Sequence, residues 1–245
     1  MRVAALIAVL VVATPHRARA EFVMCIGGQG IVPAADTVLP PHPRIVYYAD
    51  QNLGLPQKVS AKIDGAAVSV KRVESNAAPF HLIMLEIESN RSGALVVTFE
   101  GRSPLRWTIR PLAMPKEVTG VAARYQGPSR TGERGESFDG MAIRLTEGTP
   151  AILAHVKAVA KPDGAVLQAT VPVYTVSGES RPMVRIGQFD CASNIPIVEL
   201  RDGFDLEVTV TLVDGTTRKV TGLAPHMTVP APLPPQPRPR NQRVP

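Results

Sequence analysis

The sequence predicts an all-β protein: two antiparallel β-sandwich domains in tandem, followed by a disordered proline-rich C-terminal tail. Three observations carry that expectation. Apolar residues recur with period two through most of the chain, Asp-Gly dipeptides punctuate it five times, and a proline-bounded break at 111–120 divides it into two strand-rich blocks. Alternation places successive side chains on opposite faces of a strand. Asp-Gly between two such runs supplies the positive φ angles that a type I′ hairpin turn needs. Blocks of about 90 and 110 residues each suit a sandwich of some seven short strands.

The chain opens on a segment with the pattern of a secretory signal. Arg2 gives a positive start, Val3 to Pro15 an apolar run, and Ala18-Arg19-Ala20 a small-x-small cleavage site. The run is too short to cross a bilayer as a helix, and no later segment holds 18 consecutive apolar residues. The expected mature chain is therefore exported, to the periplasm or the exterior, and begins at Glu21. It carries no transmembrane segment.

Next comes "EFVMCIGGQGIVP", residues 21–33, which raises three possibilities for Cys25 and its glycines. A lipid attachment site needs a small residue before the cysteine, and Met24 stands there. A phosphate-cradling loop needs GxGxxG spacing leading into a helix, whereas this segment runs into Pro33, Pro40, Pro41 and Pro43. What remains is a disulfide from Cys25 to Cys191, the only other cysteine, with two separate thiols as the alternative. Closing so long a loop is worth on the order of 4 to 5 kcal/mol in the chain-entropy account.

In the first block, strands are expected at 44–48, 58–63, 67–73, 80–88, 94–99 and 105–110, with a hairpin turn at Asp64-Gly65. Trp107 alternates with Leu105 and Ile109, which puts it in the core rather than on a sugar-stacking platform. Tyr47 and Tyr48 fall on opposite faces, one of them toward solvent. In the second block the strands are 141–146, 152–160, 165–176, 183–189, 205–212 and 217–222, with turns at Asp139-Gly140, Asp163-Gly164, Asp202-Gly203 and Asp214-Gly215. Residues 149–161 carry two patterns: a Thr-Pro helix start with Ile152, Val156 and Val159 at helical spacing, and an alternation of Ile152, Ala154, Val156, Ala158 and Ala160. The strand is the preferred reading. The segment 125–140, polar and rich in Gly, Arg and Glu, reads as a long loop and the place for a binding surface.

The stretch "VPAADTVLPPHPRIVYYAD" resembles the opening of bacterial Ig-like domains, with a proline-bounded turn before a strand. "CASNIPIVELRDGFDLEVTVTLVDGTTRKVTGL" resembles the terminal hairpin of such sandwiches in secreted bacterial proteins. Together they cover about a third of the chain. The resemblance implies Ig-like sandwiches and an exported setting, and carries over no catalytic or ligand residues. The expected organisation is a signal peptide at 1–20, Ig-like domains at 21–112 and 113–224, and a tail at 225–245.

Charge separates by region. The 27 Lys and Arg against 21 Asp and Glu give a net charge of +6, but three basic residues lie in the signal and three in the last eight residues, while every acid lies between Glu21 and Asp214. The body from Glu21 to Ala224 thus carries no net basic excess, unlike a nucleic-acid-binding fold. The tail, with eight prolines, Arg238, Arg240 and Arg243 and no acid, is expected to be extended, either as an idle end or as a contact for an anionic or aromatic-lined partner.

Motifs for chemistry are sparse. His42, His81, His155 and His226 show no ligand spacing, and neither HExxH nor paired CxxC occurs, so no cofactor or metal is expected. Asp202, Asp205 and Glu207 could offer calcium oxygens, but the turn at Asp202-Gly203 accounts for the first. "GESFDG" places Ser137 one residue short of a nucleophile elbow. The expected role is noncatalytic: an envelope binding or structural protein whose Arg238, Arg240 and Arg243 contact an anionic envelope polymer or another envelope protein. The alternatives are an envelope hydrolase with a site assembled from distant residues, for which His81 or His155 would lie in a pocket, and a carbohydrate-binding or inhibitor module, for which Trp107 would be exposed.

Overall fold

Strand follows strand along the whole of the computed structural model, which describes residues 29–50, 54–77, 80–128, 137–174, 181–189, 195 and 203–228. The first half holds β1 (Gln29–Val32), β2 (Val38–Leu39), β3 (Arg44–Asp50), β4 (Val59–Ile63), β5 (Ala66–Ala77), β6 (Phe80–Glu88), β7 (Gly93–Phe99) and β8 (Leu105–Ile109). The second holds β9 (Val118–Pro128), β10 (Ser137–Leu145), β11 (Ala151–Ala160), β12 (Val166–Pro172), β13 (Met183–Phe189), β14 (Phe204–Leu212) and β15 (Thr217–Thr221). Every strand anticipated from alternation is present. Residues 110–117 carry no strand and join the two halves.

Each half is an Ig-like sandwich by the order of its strands. In the first, β1-β3-β6-β5 form one layer and β5-β4-β7-β8-β2 the other. The twelve-residue β5 serves both: Ala66 to Val68 pair with β4, and from Ser69 onward the strand pairs with β6. In the second, β9-β10-β13 face β12-β11-β14-β15. The expected antiparallel pattern needs one correction, because each half has a short parallel contact between its leading segment and its last strand. Val38 and Leu39 run beside Thr108 and Ile109, and Val118 and Thr119 beside Val220 and Thr221. A leading segment that crosses to the opposite layer must lie beside the final strand, and at this crossing the two run the same way.

The cores follow from the alternation. In β8 the buried positions are Trp107 and Ile109, and the Trp107 indole N–H donates to the carbonyls of Ala34 (2.9 Å) and Pro33 (3.3 Å). The tryptophan is thus core, not platform. Tyr47 is buried against Phe99, ring centroids 5.3 Å apart, while Tyr48 is half-buried against Phe80 and Tyr174. The expected exposed tyrosine is therefore covered, by a ring from the other half.

Turn chemistry decides some connections and ladder bonding others. Asp64 and Gly65 both have positive φ (49° and 83°), the type I′ conformation joining β4 to β5. Asp163-Gly164 and Asp214-Gly215 likewise lie between β11 and β12 and between β14 and β15. Asp139-Gly140 does not turn: both residues lie inside β10, opposite Gln126 and Tyr125 of β9 and Gln188 and Gly187 of β13. A strand bonded on both edges outweighs a local turn preference. For the same reason the two ends of the long loop expected at 125–140, residues 125–128 and 137–140, are ladder, with Pro128 opposite Ser137, while 129–136 lie outside the described residues. Residues 151–160 form β11, a central strand between β12 and β14, so the period-two pattern prevailed over the helical one.

The halves meet through side chains. Met114 packs on both cores, and Ile152 and Val213 of the second half join the first core. The Arg44 N–H donates to the Val213 carbonyl at 2.6 Å. Tyr174 stands edge-on to Tyr48 and Phe80 at 5.7 and 6.4 Å, with the buried Arg185 guanidinium 5.0 Å over its ring. Among the described residues no helix is long and apolar enough to cross a membrane.

Candidate functional site

The most distinctive surface forms where β9 leaves β15. Gly120 sits at that crossing, and a Cβ there would lie 2.8 Å from Val220 Cγ1 and 3.0 Å from Ile143 Cγ2. Only a residue without a side chain lets β9 pass between the layers. Past it, β9 bonds to β10 on one side, while among the described residues its pairing with β15 ends at Thr119. The Thr119 carbonyl accepts from Thr146 on the β10 side, and Gly120 instead turns its backbone toward Gly222. The outward-facing backbone groups are therefore those of Gly120, Ala122, Arg124 and Gln126, since alternate residues of a strand bond to opposite neighbours. Among the described residues β9 is an open edge strand over this length.

Beside that edge lies a largely apolar groove of about 330 Å³, floored by Val121, Ala122 and Ala123 and walled by His226, Met227 and Thr228. Val121 is 66% exposed, the most open of the large apolar side chains described. The wall is firmly rooted. Met227 is 8% exposed and exchanges two backbone hydrogen bonds with Phe204, at 2.8 and 2.9 Å. His226 Nδ1 lies 3.4 Å from Asp205 Oδ1, and Lys161 Nζ 2.8 Å from Asp205 Oδ2. The hydrogen bond from Lys161, with a smaller one from His226, holds the Asp205 carboxyl below its ordinary value. Gly203 makes room for the His226 ring, whose Cε1 lies 2.7 Å from where a Cβ would stand.

A second cleft, of about 570 Å³ and open to solvent, lies at one end of the first sandwich between Gln29, Gln57, Glu100 and Arg102. Arg102 stacks at 5.0 Å on the Tyr47 ring and bonds to Gln29, which also accepts from the Tyr47 hydroxyl at 3.1 Å. Burial raises the Tyr47 pKa, with Arg102 opposing. The guanidinium is thus spent on closing the sandwich end.

The residues expected to carry function fall in different places. Cys25, Cys191, Arg238, Arg240 and Arg243 lie outside the described residues, as do the signal segment and Asp202. Asp205 and Glu207, weighed for calcium, are ion-paired to Lys161 and Lys219. His155 stands exposed on β11 with Thr170 Oγ1 at 3.3 Å, and neither cleft includes it or His81. Apart from His226, the groove residues went unmarked in the sequence, although Met227, an apolar residue shortly after Pro225, was a signal that the fold continues past Ala224.

No protein-family profile matches the chain, and no curated protein matches it. Solved structures that the chain matches include a chimeric titin Z1Z2–Z1Z2 tandem, 13% identical, with a TM-score of 0.20 over 80% of this chain and 100% of that one. The tandem Ig repeats of Dlar are 13% identical, with a TM-score of 0.25 over 80% and 96%. Dimeric latent PorU from Porphyromonas gingivalis is 14% identical, with a TM-score of 0.28 over 79% of this chain and 19% of its own length. The sandwich assignment rests on the strand pairing itself.

Proposed function

We propose that the protein is a noncatalytic binding and structural module of the cell envelope, exported after cleavage near Ala20, in which two packed Ig-like sandwiches hold a cationic tail at a fixed root. The observation that carries this reading is the position of Thr228. The last described residue lies on the groove wall, one residue past the Met227–Phe204 bridge, so the segment bearing Arg238, Arg240 and Arg243 starts from a rigid point on a body without net basic excess. The partner this arrangement suits is an anionic envelope polymer or an acidic envelope protein, since arginine pairs bidentately with carboxylate and phosphate. The ionisable clusters of the body support a structural role, because Asp205, Glu86 and Glu207 each hold cations that fasten strands or segments together.

The test is co-sedimentation of the mature protein with isolated envelopes at low and high salt, beside a chain ending at Thr228 and the variant Arg238→Ser/Arg240→Ser/Arg243→Ser. Binding that weakens with salt and is lost in both altered proteins is expected, because exposed charges are screened over about 8 Å at physiological ionic strength. Salt-independent binding, or binding that survives loss of the arginines, removes the electrostatic role of the tail. Turnover in an activity screen on envelope substrates removes the noncatalytic reading.

A further inference from the structure

The turn between β6 and β7 carries a short motif that the packing of the first sandwich does not require. Residues 88–92 read Glu88-Ser89-Asn90-Arg91-Ser92, and of the five asparagines in the chain only Asn90 heads an Asn-x-Ser/Thr triplet. With x other than proline, that triplet is the acceptor for an N-linked sugar. Glu88 adds an acid two residues upstream, the longer acceptor form that bacterial oligosaccharyl transferases read.

The turn holds its root and presents the triplet outward. Ser89 is 8% exposed and bonded three ways. Its N–H donates to the Ile87 carbonyl at 3.1 Å, its carbonyl accepts from the His42 N–H at 3.2 Å, and its hydroxyl accepts from the Arg91 N–H at 3.1 Å. Glu88, Asn90, Arg91 and Ser92 are all exposed. The Asn90 side-chain oxygen accepts from His42 Nε2, and its Nδ2 has no partner among the described residues. The side chains of Glu88 and Ser92 likewise make no ion pair or hydrogen bond among the described residues.

The turn itself gives no reason for asparagine at this position. Asparagine is common in loops because it tolerates positive φ or bonds to a neighbouring backbone group. Asn90 does neither. The positive φ of this turn falls to Gly93, at 141°, and the Asn90 amide bonds to the ring of His42.

We infer that Asn90 is the acceptor for an N-linked oligosaccharide, delivered from a polyprenyl diphosphate carrier by an oligosaccharyl transferase outside the cytoplasmic membrane. In that transfer Nδ2 bonds to C1 of the first sugar and the C1–O bond to the carrier breaks. The diphosphate leaves with the electron pair, and Nδ2 loses one proton to a carboxylate of the transferase. Glu88 supplies the charge, and Ser92 the hydroxyl, by which the transferase grips the triplet. The segment can enter such a site because Glu88 is the last paired residue of β6, opposite Ser69, so only the end of a ladder has to open. The inference rests on the export of the chain, one premise of the proposed role, and is independent of the arginine tail.

The experiment is mass spectrometry of the protein isolated from the cells that make it, reading the tryptic peptide 73–91 together with the N-terminal peptide. The wild-type protein is compared with Glu88→Gln, Ser92→Ala and Ser92→Thr expressed in the same cells. A sugar mass on Asn90 is expected in the wild-type protein and in Ser92→Thr, and none in Ser92→Ala. Occupancy in Glu88→Gln is expected to fall about tenfold or more, the effect of losing one charge-assisted contact. All three substitutions alter exposed side chains, and unchanged Trp107 emission separates loss of sugar from loss of fold. An N terminus at Glu21 with a bare Asn90 overturns the inference and leaves export standing. A retained leader with a bare Asn90 overturns export, and the inference falls with it. Sugar that persists in Ser92→Ala overturns recognition of the triplet, and full occupancy in Glu88→Gln overturns the part assigned to the acid.

Discussion

Met227 and Phe204 exchange backbone hydrogen bonds in both directions, at 2.8 and 2.9 Å, after the last strand of the second sandwich has ended. The pair closes the end of the core, because Met227 is buried among the residues that line it. A chain ending at Ala224 loses this closure, whereas one ending at Thr228 keeps it. Met227→Ala is expected to destabilise the second sandwich by about 2 to 3 kcal/mol, in the range for truncating a buried Met. Urea denaturation of the two truncations and the point variant checks this: the Thr228 ending should match the untruncated protein, and the other two should unfold at lower urea.

Trp107 is the sole tryptophan and reports on the first sandwich alone. Trp107→Phe keeps an aromatic ring but strips the donor shared by the Pro33 and Ala34 carbonyls, the second of which keeps its bond from the Thr37 hydroxyl at 2.9 Å. The expected cost is about 0.5 to 1.5 kcal/mol, that of one net hydrogen bond. In the wild-type protein a red shift of its emission on unfolding should track the first core, and unchanged midpoints in Trp107→Phe would show that those carbonyls find another donor.

Asp205 gives the groove wall an acid limit. Its carboxyl is held below its ordinary value by Lys161 and then His226. A lowered folded-state pKa contributes stability that is present above the unfolded value and lost as pH falls through the folded one, so the contribution fades below about pH 4. Exchange at amides 226–228 should accelerate in that window in the wild-type protein. Asp205→Asn should show the faster exchange already at neutral pH and little further change in acid.

Tyr174 couples the halves. Its ring meets Tyr48 and Phe80 of the first sandwich, and such edge-on aromatic pairs each add about 0.5 to 1.5 kcal/mol beyond the area they bury. Calorimetry of Tyr174→Ala should resolve two transitions where the wild-type protein shows one. A single transition in both proteins would assign the coupling to the Arg44–Val213 bond and Met114 instead.

Much of the fold was legible because one face of nearly every strand is buried. The run Phe80 to Glu88 was bounded to the residue by its own pattern, and Met183 to Phe189 was also placed to the residue, although its buried positions are continuous from Met183 to Gly187. What escaped notice were strands held by neighbours rather than by pattern. β1 and β2 are short segments on the rims of the first sandwich, among glycines and prolines, and β9 reads Val-Thr-Gly-Val-Ala-Ala, with no alternation to find. Asp139-Gly140 misled for the converse reason, since a dipeptide suited to a turn became the middle of a strand bonded on both edges. The candidate groove was the least legible. It arises from the divergence of β9 and β15, segments about 100 residues apart in sequence, and no local signal encodes that separation.

The parallel contact between first and last strands has a mechanical consequence. When the ends of two parallel neighbours are pulled from the linker at 117 and the tail at 228, they slide past each other lengthwise. The bonds between Val118–Thr119 and Val220–Thr221 then bear load together and must rupture at once rather than unzip in turn. The first sandwich repeats the arrangement with Val38–Leu39 and Thr108–Ile109. A chain anchored at both ends would therefore resist stretching as two shear clamps in series, each set across the line of force.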